Sequence, residues 1–87
     1  MNIKETITRL SQGNPGAATV LLEIASTDPM FLNPLGVAME LTGSKGYALW
    51  MVYKDRCKHD IEATKAVLRE WFDSSCLPLE QWLEGKK

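Results

Sequence analysis

The sequence contains few of the residues on which enzymes and metalloproteins depend. Its 87 residues include one histidine, His59, and two cysteines, Cys57 and Cys76. The cysteines lack zinc-ligand spacing, and one histidine cannot complete a four-ligand site with them. Cys57 and His59 would point in different directions on a helix, and the carboxylates show no pairing that singles out an acid and a base. We therefore expect no metal, no cofactor and no catalytic activity.

Long apolar runs are also missing. No stretch approaches the roughly 20 apolar residues that span a bilayer, and the N-terminal residues MNIKETITRL contain no apolar signal core. These absences predict a cytoplasmic protein with reduced cysteines and no membrane partner.

Neither sign of charge is in large excess, since the formal net charge is -1. A general nucleic-acid binder needs many uncompensated basic residues, so this balance disfavours one. Residues 44–69 nevertheless carry six basic and three acidic side chains, between acidic flanks. That distribution suits a compact anionic ligand, and the alternative is charges spread over solvated helix faces.

What the sequence does contain is an ordinary globular composition, with 45% hydrophobic and 24% charged residues. The length predicts a single domain over residues 1–87 with a thin core. Ile3, Ile7 and Leu10 predict an amphipathic first helix that stops near Gly13. Each Asn-Pro pair is typical of a helix start.

The first Asn-Pro pair, Asn14-Pro15, predicts a second helix over residues 15–25, apolar around almost its whole circumference. The second pair, Asn33-Pro34, predicts a third helix over residues 34–41 that ends at Thr42-Gly43, after a turn or short helical stretch at residues 28–32.

A fourth helix is predicted over residues 45–57, with Ser44 as its cap. Its seven uncharged residues 47–53 could also form a strand, but the length and the lack of a partner strand favour a helix. Asp60 predicts the cap of a fifth helix, and Pro78 predicts a final short turn through residue 82. The inward positions of the fifth helix are Ile61, Val67, Leu68, Trp71 and Phe72. The predicted fold is all-α, a small bundle of about five short helices.

The second and fourth helices are both apolar nearly all round, and so small a domain has little material to cover them. We therefore expect a homo-oligomer, with the fourth helix as the leading contact, the alternative being a tightly wrapped monomer.

Two helix starts are candidate ligand sites, because backbone N–H groups at helix N-termini attract anions. Glycines flank the first start, where helix caps explain the same residues without a ligand. The second start is followed by aromatic and basic residues that suit a nucleobase and a phosphate, although such a stripe is also typical of a core or an interface. The candidate ligand residues are Ser11, Gln12, Gly13, Asn14 and Gly16 at the first start, and Ser44, Lys45, Tyr47, Trp50, Tyr53, Lys54 and Arg56 at the second.

The segments SQGNPGA, at residues 11–17, and GSKGYALWMVYKDRC, at residues 43–57, resemble those of a family of small helical proteins encoded by bacteriophages and prophages. This group includes oligomeric anti-CBASS sponges that sequester cyclic nucleotide signals of bacterial immunity. The resemblance implies a binding protein without chemistry, in which subunits share a site for a cyclic dinucleotide.

Two classes of function follow from the sequence. The first is sequestration of a small anionic nucleotide signal, in the manner that the resemblance implies. The alternative is a protein–protein interaction module in which the apolar fourth helix docks on a host or phage partner. A helix-turn-helix regulator of DNA is disfavoured because the fourth helix presents Tyr47, Leu49, Trp50 and Val52 where groove-reading helices present polar side chains.

Overall fold

A computed structural model of the chain describes residues 3–85. These residues form six α-helices, one 3₁₀ turn and one π-helical turn, and no strand, which confirms the all-α fold class. The single domain predicted over residues 1–87 extends two residues beyond the described range at each end. The α-helices are α1 (Ile3–Ser11), α2 (Pro15–Thr27), α3 (Leu32–Thr42), α4 (Tyr47–Met51), α5 (Ile61–Ser74) and α6 (Leu79–Gly85).

The turn between α1 and α2 contains the helix-ending glycine and the Asn-Pro helix start that the sequence predicts. Gly13 has a φ of 80°, a left-handed conformation that glycine adopts without a steric penalty. The Asn14 side chain accepts a hydrogen bond from the Ala17 N–H at 2.9 Å, and Pro15 is the first residue of α2. The second helix continues to Thr27, two residues beyond the predicted end at residue 25, and stops where Asp28 precedes Pro29.

The predicted start of the third helix at Asn33-Pro34 is wrong. A 3₁₀ turn at Pro29–Phe31 passes directly into α3, which begins at Leu32, so Pro34 lies within the first turn of an established helix. Proline is tolerated there because the first N–H groups of a helix have no partner within it. The predicted end is confirmed, since Gly43 caps α3 with a φ of 70°.

The fourth predicted segment is helical rather than extended, but it is not one α-helix over residues 45–57. α4 begins at Tyr47, and the chain continues from its end as a π-helical turn at Val52–Arg56. The Cys57 N–H donates to the Val52 carbonyl oxygen at 2.9 Å, five residues back, which widens this turn. The predicted Ser44 cap is also wrong, because no side chain caps α4 and the Ser44 hydroxyl bonds elsewhere.

α5 begins as predicted, with the Asp60 carboxylate accepting hydrogen bonds from the N–H groups of Glu62 and Ala63. Of its predicted inward residues, Leu68 and Trp71 are fully buried. Ile61, Val67 and Phe72 are partly buried against the same core. The final predicted turn is α6, which extends to Gly85.

One chain covers most of both apolar helices. α2 and α4 pack against each other, so that Val20, Leu21 and Ile24 on one and Ala48 and Leu49 on the other are all fully buried. Each helix therefore supplies much of the cover of the other, and Leu22, Tyr47 and Met51 are the large apolar residues of the two that stay exposed. The homo-oligomer stays a prediction. No helix within residues 3–85 is long and apolar enough to cross a membrane.

Candidate functional site

The two segments singled out in the sequence meet in space. The Gln12 side chain donates a hydrogen bond to the Ser44 carbonyl oxygen at 3.1 Å and accepts one from the Gly46 N–H at 2.9 Å. One amide side chain therefore bridges the loop after α1 to the loop before α4. Gln12 itself has a φ of 53°, a left-handed conformation uncommon outside glycine.

Two glycines at this junction allow close packing. A Cβ atom on Gly16 would lie 2.5 Å from Cδ2 of Trp50, so the indole ring fills the space beside Gly16. A Cβ atom on Gly46 would collide with the Ser11 carbonyl oxygen and lie 2.8 Å from its carbon. Both glycines are explained by contacts within the chain.

Several backbone N–H groups at the two candidate helix starts already have acceptors within the chain. Ala17 donates to the Asn14 side chain at 2.9 Å, and Ala18 donates to the Asn14 carbonyl oxygen at 3.1 Å. The Lys45 N–H donates to the Glu80 carboxylate at 2.9 Å. These groups serve the fold, which removes most of the exposed donors on which an anion would depend.

The aromatic residues predicted to face a ligand are divided between core and surface. Tyr53 is buried and Trp50 is half-buried, and His59 lies edge-on to both rings with centroids 5.2 Å and 6.0 Å away. A hydrogen bond to the Glu23 carboxylate, together with burial, raises the pKa of Tyr53 above its usual value of 10.0. Tyr47, by contrast, is 49% exposed.

The other predicted ligand residues are dispersed. Ser11 is buried and its hydroxyl donates to the Thr8 carbonyl oxygen at 3.0 Å, while Gly13 and Asn14 form the turn before α2. Lys54 is exposed on the π-helical turn and borders none of the main clefts of the described residues. The twelve residues therefore do not form one site.

Three of the remaining predicted residues hold α6 beside α4. The Ser44 hydroxyl accepts a hydrogen bond from the Leu79 N–H at 2.9 Å, and the Lys45 N–H donates to Glu80. At the other end of α6, the Arg56 guanidinium donates to the Leu83 carbonyl oxygen at 2.6 Å. These contacts fix the short C-terminal helix in place without closing the space between the two helices.

That space is a cleft of about 280 Å³, which we call the α4–α6 cleft. Tyr47 and Met51 are 49% and 42% exposed, and Leu83 faces them from α6. The charged residues that line the cleft are the carboxylates Asp55, Glu80 and Glu84 and the single cation Arg56. The cleft thus combines an apolar surface with a net negative rim. Its lining residues are Tyr47, Ala48, Met51, Asp55, Arg56, Glu80, Leu83 and Glu84.

Sequence reasoning missed the α6 half of this cleft. Glu80, Leu83 and Glu84 lie about 30 residues after α4 in the chain, and no local pattern indicates where a seven-residue helix docks. The only available signal was the acidic character of the C-terminal flank.

A second, smaller groove contains three predicted residues. Gln12, Ser44 and Lys45 line a space of about 170 Å³ together with Arg9 and Glu40. Arg9 is paired with Glu40 at 3.0 Å, and Lys45 is the second cation that lines this groove.

Histidine, cysteine and carboxylate side chains do not converge on a metal position anywhere in residues 3–85, since no three of them are suitably grouped. Cys57 is buried and Cys76 is exposed, and both are free thiols.

Comparisons of the chain with family models, with curated proteins and with solved structures found no match.

Proposed function

We propose that the protein is a non-catalytic interaction module whose α4–α6 cleft receives an apolar, cationic segment of another protein. The observation that carries this proposal is the exposed pair Tyr47 and Met51, held open beside α6 beneath a rim of three carboxylates. Exposed apolar surface bordered by polar groups is typical of protein-binding sites.

The volume of the cleft favours part of a peptide over a whole small molecule. Pockets for drug-sized ligands commonly measure about 300–1,000 Å³. At about 280 Å³, the α4–α6 cleft is suited to a few anchoring side chains that protrude from a larger partner. An amphipathic helix presents such anchors at three- and four-residue spacing.

The charges of the cleft specify the partner further. Three carboxylates face one guanidinium, and that guanidinium is already bonded to the Leu83 carbonyl oxygen. An anionic group would meet repulsion there, whereas lysine and arginine side chains would find acceptors. The expected partner segment is therefore a basic amphipathic helix.

Binding of a fluorescently labelled basic amphipathic helix, with leucines on one face and lysines on the other, tests this function by anisotropy. We expect Met51→Ser to weaken binding about tenfold, since it removes an apolar contact of about 1.4 kcal/mol. Leu22→Ser is the matched control, because Leu22 is 57% exposed on α2 and lies outside the cleft.

Glu84→Lys provides a second arm of the same measurement. It reverses one rim charge at an exposed position and is expected to weaken binding of the basic helix and reduce its dependence on salt. An acidic helix of the same apolar pattern is expected to bind poorly. Equal binding of the two helices, or equal affinities for Met51→Ser and Leu22→Ser, would contradict the proposed function.

A second candidate function is sequestration of a small anionic nucleotide, and the groove that contains Lys45 supports it. Gln12 and Lys45 lie there beside Arg9, so two cations face one carboxylate. The groove measures about 170 Å³ and would need a second subunit to enclose a cyclic dinucleotide.

The nucleotide candidate predicts a rise in melting temperature with added cyclic dinucleotide. Stabilisation grows as RT ln(1 + [L]/Kd), and Lys45→Glu is expected to remove it. Lys54→Glu makes the same change of charge outside the groove and is expected to leave the response intact. The absence of any shift at millimolar nucleotide would exclude this candidate.

A further inference from the structure

A row of exposed apolar residues runs along the 3₁₀ turn at Pro29–Phe31 and the outer face of α3, and no other described element covers it. Met30, Val37 and Leu41 are 83%, 58% and 82% exposed, and Pro34 is exposed between them. On α3, Pro34, Val37 and Leu41 follow one another at three and four residues, the pattern of the contact seam in paired helices, and Met30 lies on the 3₁₀ turn just before them. The opposite face of α3 contributes Leu35 and Met39 to the core. We call the exposed row the α3 seam.

Shallow grooves border the α3 seam where α3 lies against α1. One of about 180 Å³ is lined by Val37 and Gly36, and one of about 210 Å³ is lined by Met30 and Ile3. Both grooves share Thr6, Leu32 and Asn33, so they adjoin and together form a channel-like border beside the seam. Side chains from an opposing helix could enter this channel, as ridges enter grooves in packed helices.

The grooves beside the α3 seam carry balanced charges, unlike the acidic α4–α6 cleft. The only charged side chains that line the two grooves are Arg9 and Glu40, which pair with each other at 3.0 Å. A face with one charge of each sign is complementary to a copy of itself, because a two-fold axis lets the cation of one copy approach the anion of the other. The acidic cleft lacks this property.

We propose that the α3 seam binds the α3 seam of a second copy of the chain, forming a two-fold dimer independent of the α4–α6 cleft. The two α3 helices run antiparallel across the axis and bury Val37 and Leu41 against each other. Arg9 and Glu40 then lie at the edge of the interface, where each can pair within or between copies. The dimer would carry two α4–α6 clefts.

Sedimentation equilibrium of the full chain, from about 10 µM to about 1 mM, tests this proposal. We expect a reversible monomer–dimer equilibrium for the unaltered protein. Val37→Glu is expected to raise the dimer Kd at least about tenfold, since it places two unpaired carboxylates in the seam. Leu22→Glu is the matched control, as Leu22 is equally exposed and lines neither groove.

Melting temperatures of both variants, measured at low concentration, establish that each remains folded. Retention of the dimer by Leu22→Glu and by Met51→Ser, with its loss in Val37→Glu, would support the proposed interface. A monomer at every concentration would overturn it, and so would equal dimer affinities of Val37→Glu and Leu22→Glu. Because Met51→Ser reports on the cleft alone, failure of the peptide-binding function leaves this result unaffected.

Discussion

Trp71→Ala is expected to remove a large part of the free energy of unfolding of the chain. Trp71 is fully buried on α5, and its indole N–H donates to the Leu77 carbonyl oxygen at 2.8 Å. Removal of a buried tryptophan side chain costs about 3–5 kcal/mol, and a domain of this length is stabilised by roughly 4–13 kcal/mol in total. Circular dichroism during thermal and urea unfolding measures the loss.

Trp71→Phe separates the packing of this residue from its hydrogen bond. Phenylalanine retains much of the buried ring but leaves the Leu77 carbonyl oxygen without its donor, and we expect a loss of about 1–3 kcal/mol. A melting temperature for Trp71→Ala within a few degrees of the unaltered protein would contradict the position of Trp71 at the centre of the core.

Gly46→Ala is expected to be the most damaging single-methyl substitution in the described chain. The added Cβ atom would collide with the Ser11 carbonyl oxygen and lie 2.9 Å from the Leu10 carbonyl oxygen. Both obstacles are backbone atoms of α1, which cannot rotate aside as a side chain can. Overpacking of this kind costs about 1–3 kcal/mol, which corresponds to a fall in melting temperature of roughly 4–24 °C.

The same substitution at Gly85 is a suitable control for Gly46→Ala. Nothing lies within 4 Å of a Cβ atom built on Gly85, which ends α6. Gly85→Ala is therefore expected to leave the melting temperature nearly unchanged. Equal melting temperatures for the two variants would show that α1 does not approach Gly46 as closely as described.

Features set by adjacent residues could be predicted from the sequence. Asn14-Pro15 and Asp60 begin helices as expected, because a short polar side chain at these positions reaches N–H groups two or three residues ahead. Gly43 ends α3 for an equally local reason, its left-handed conformation. The choice of a helix over a strand for residues 47–53 was also correct.

Two predicted helix starts failed because the structure around each motif differs from the one that the motif usually indicates. Ser44 precedes an apolar run as a cap would, yet its hydroxyl bonds Leu79, 35 residues away. Asn33-Pro34 imitates a helix start, but the preceding 3₁₀ turn has already begun the helix. The Leu79 partner of Ser44 lies outside any short window of sequence, whereas the 3₁₀ turn falls in the segment predicted as a turn or short helical stretch, and only its direct passage into α3 was missed.

The π-helical turn at Val52–Arg56 explains why the sequence did not predict the side-chain directions in this part of the candidate site. Sequence periodicity assumes about 3.6 residues per turn, whereas a π turn spaces its hydrogen bonds by five residues. Side chains after Val52 therefore point in directions that the α-helical pattern does not give. Arg56, expected beside a phosphate, instead reaches the C-terminal end of α6.

The hydrogen bonds that hold α6 have a consequence for affinity. An isolated helix of seven residues is not stable in water, so α6 is ordered only while its hydrogen bonds to Ser44, Lys45 and Arg56 and the burial of Leu79 and Trp82 keep it docked. Undocking of α6 would remove one wall of the cleft and expose Leu79 and Trp82 while the other helices remained folded, a sub-global opening less costly than complete unfolding. The apparent dissociation constant of a guest is its intrinsic value divided by the docked fraction, so substitutions far from the guest can change affinity through that fraction alone.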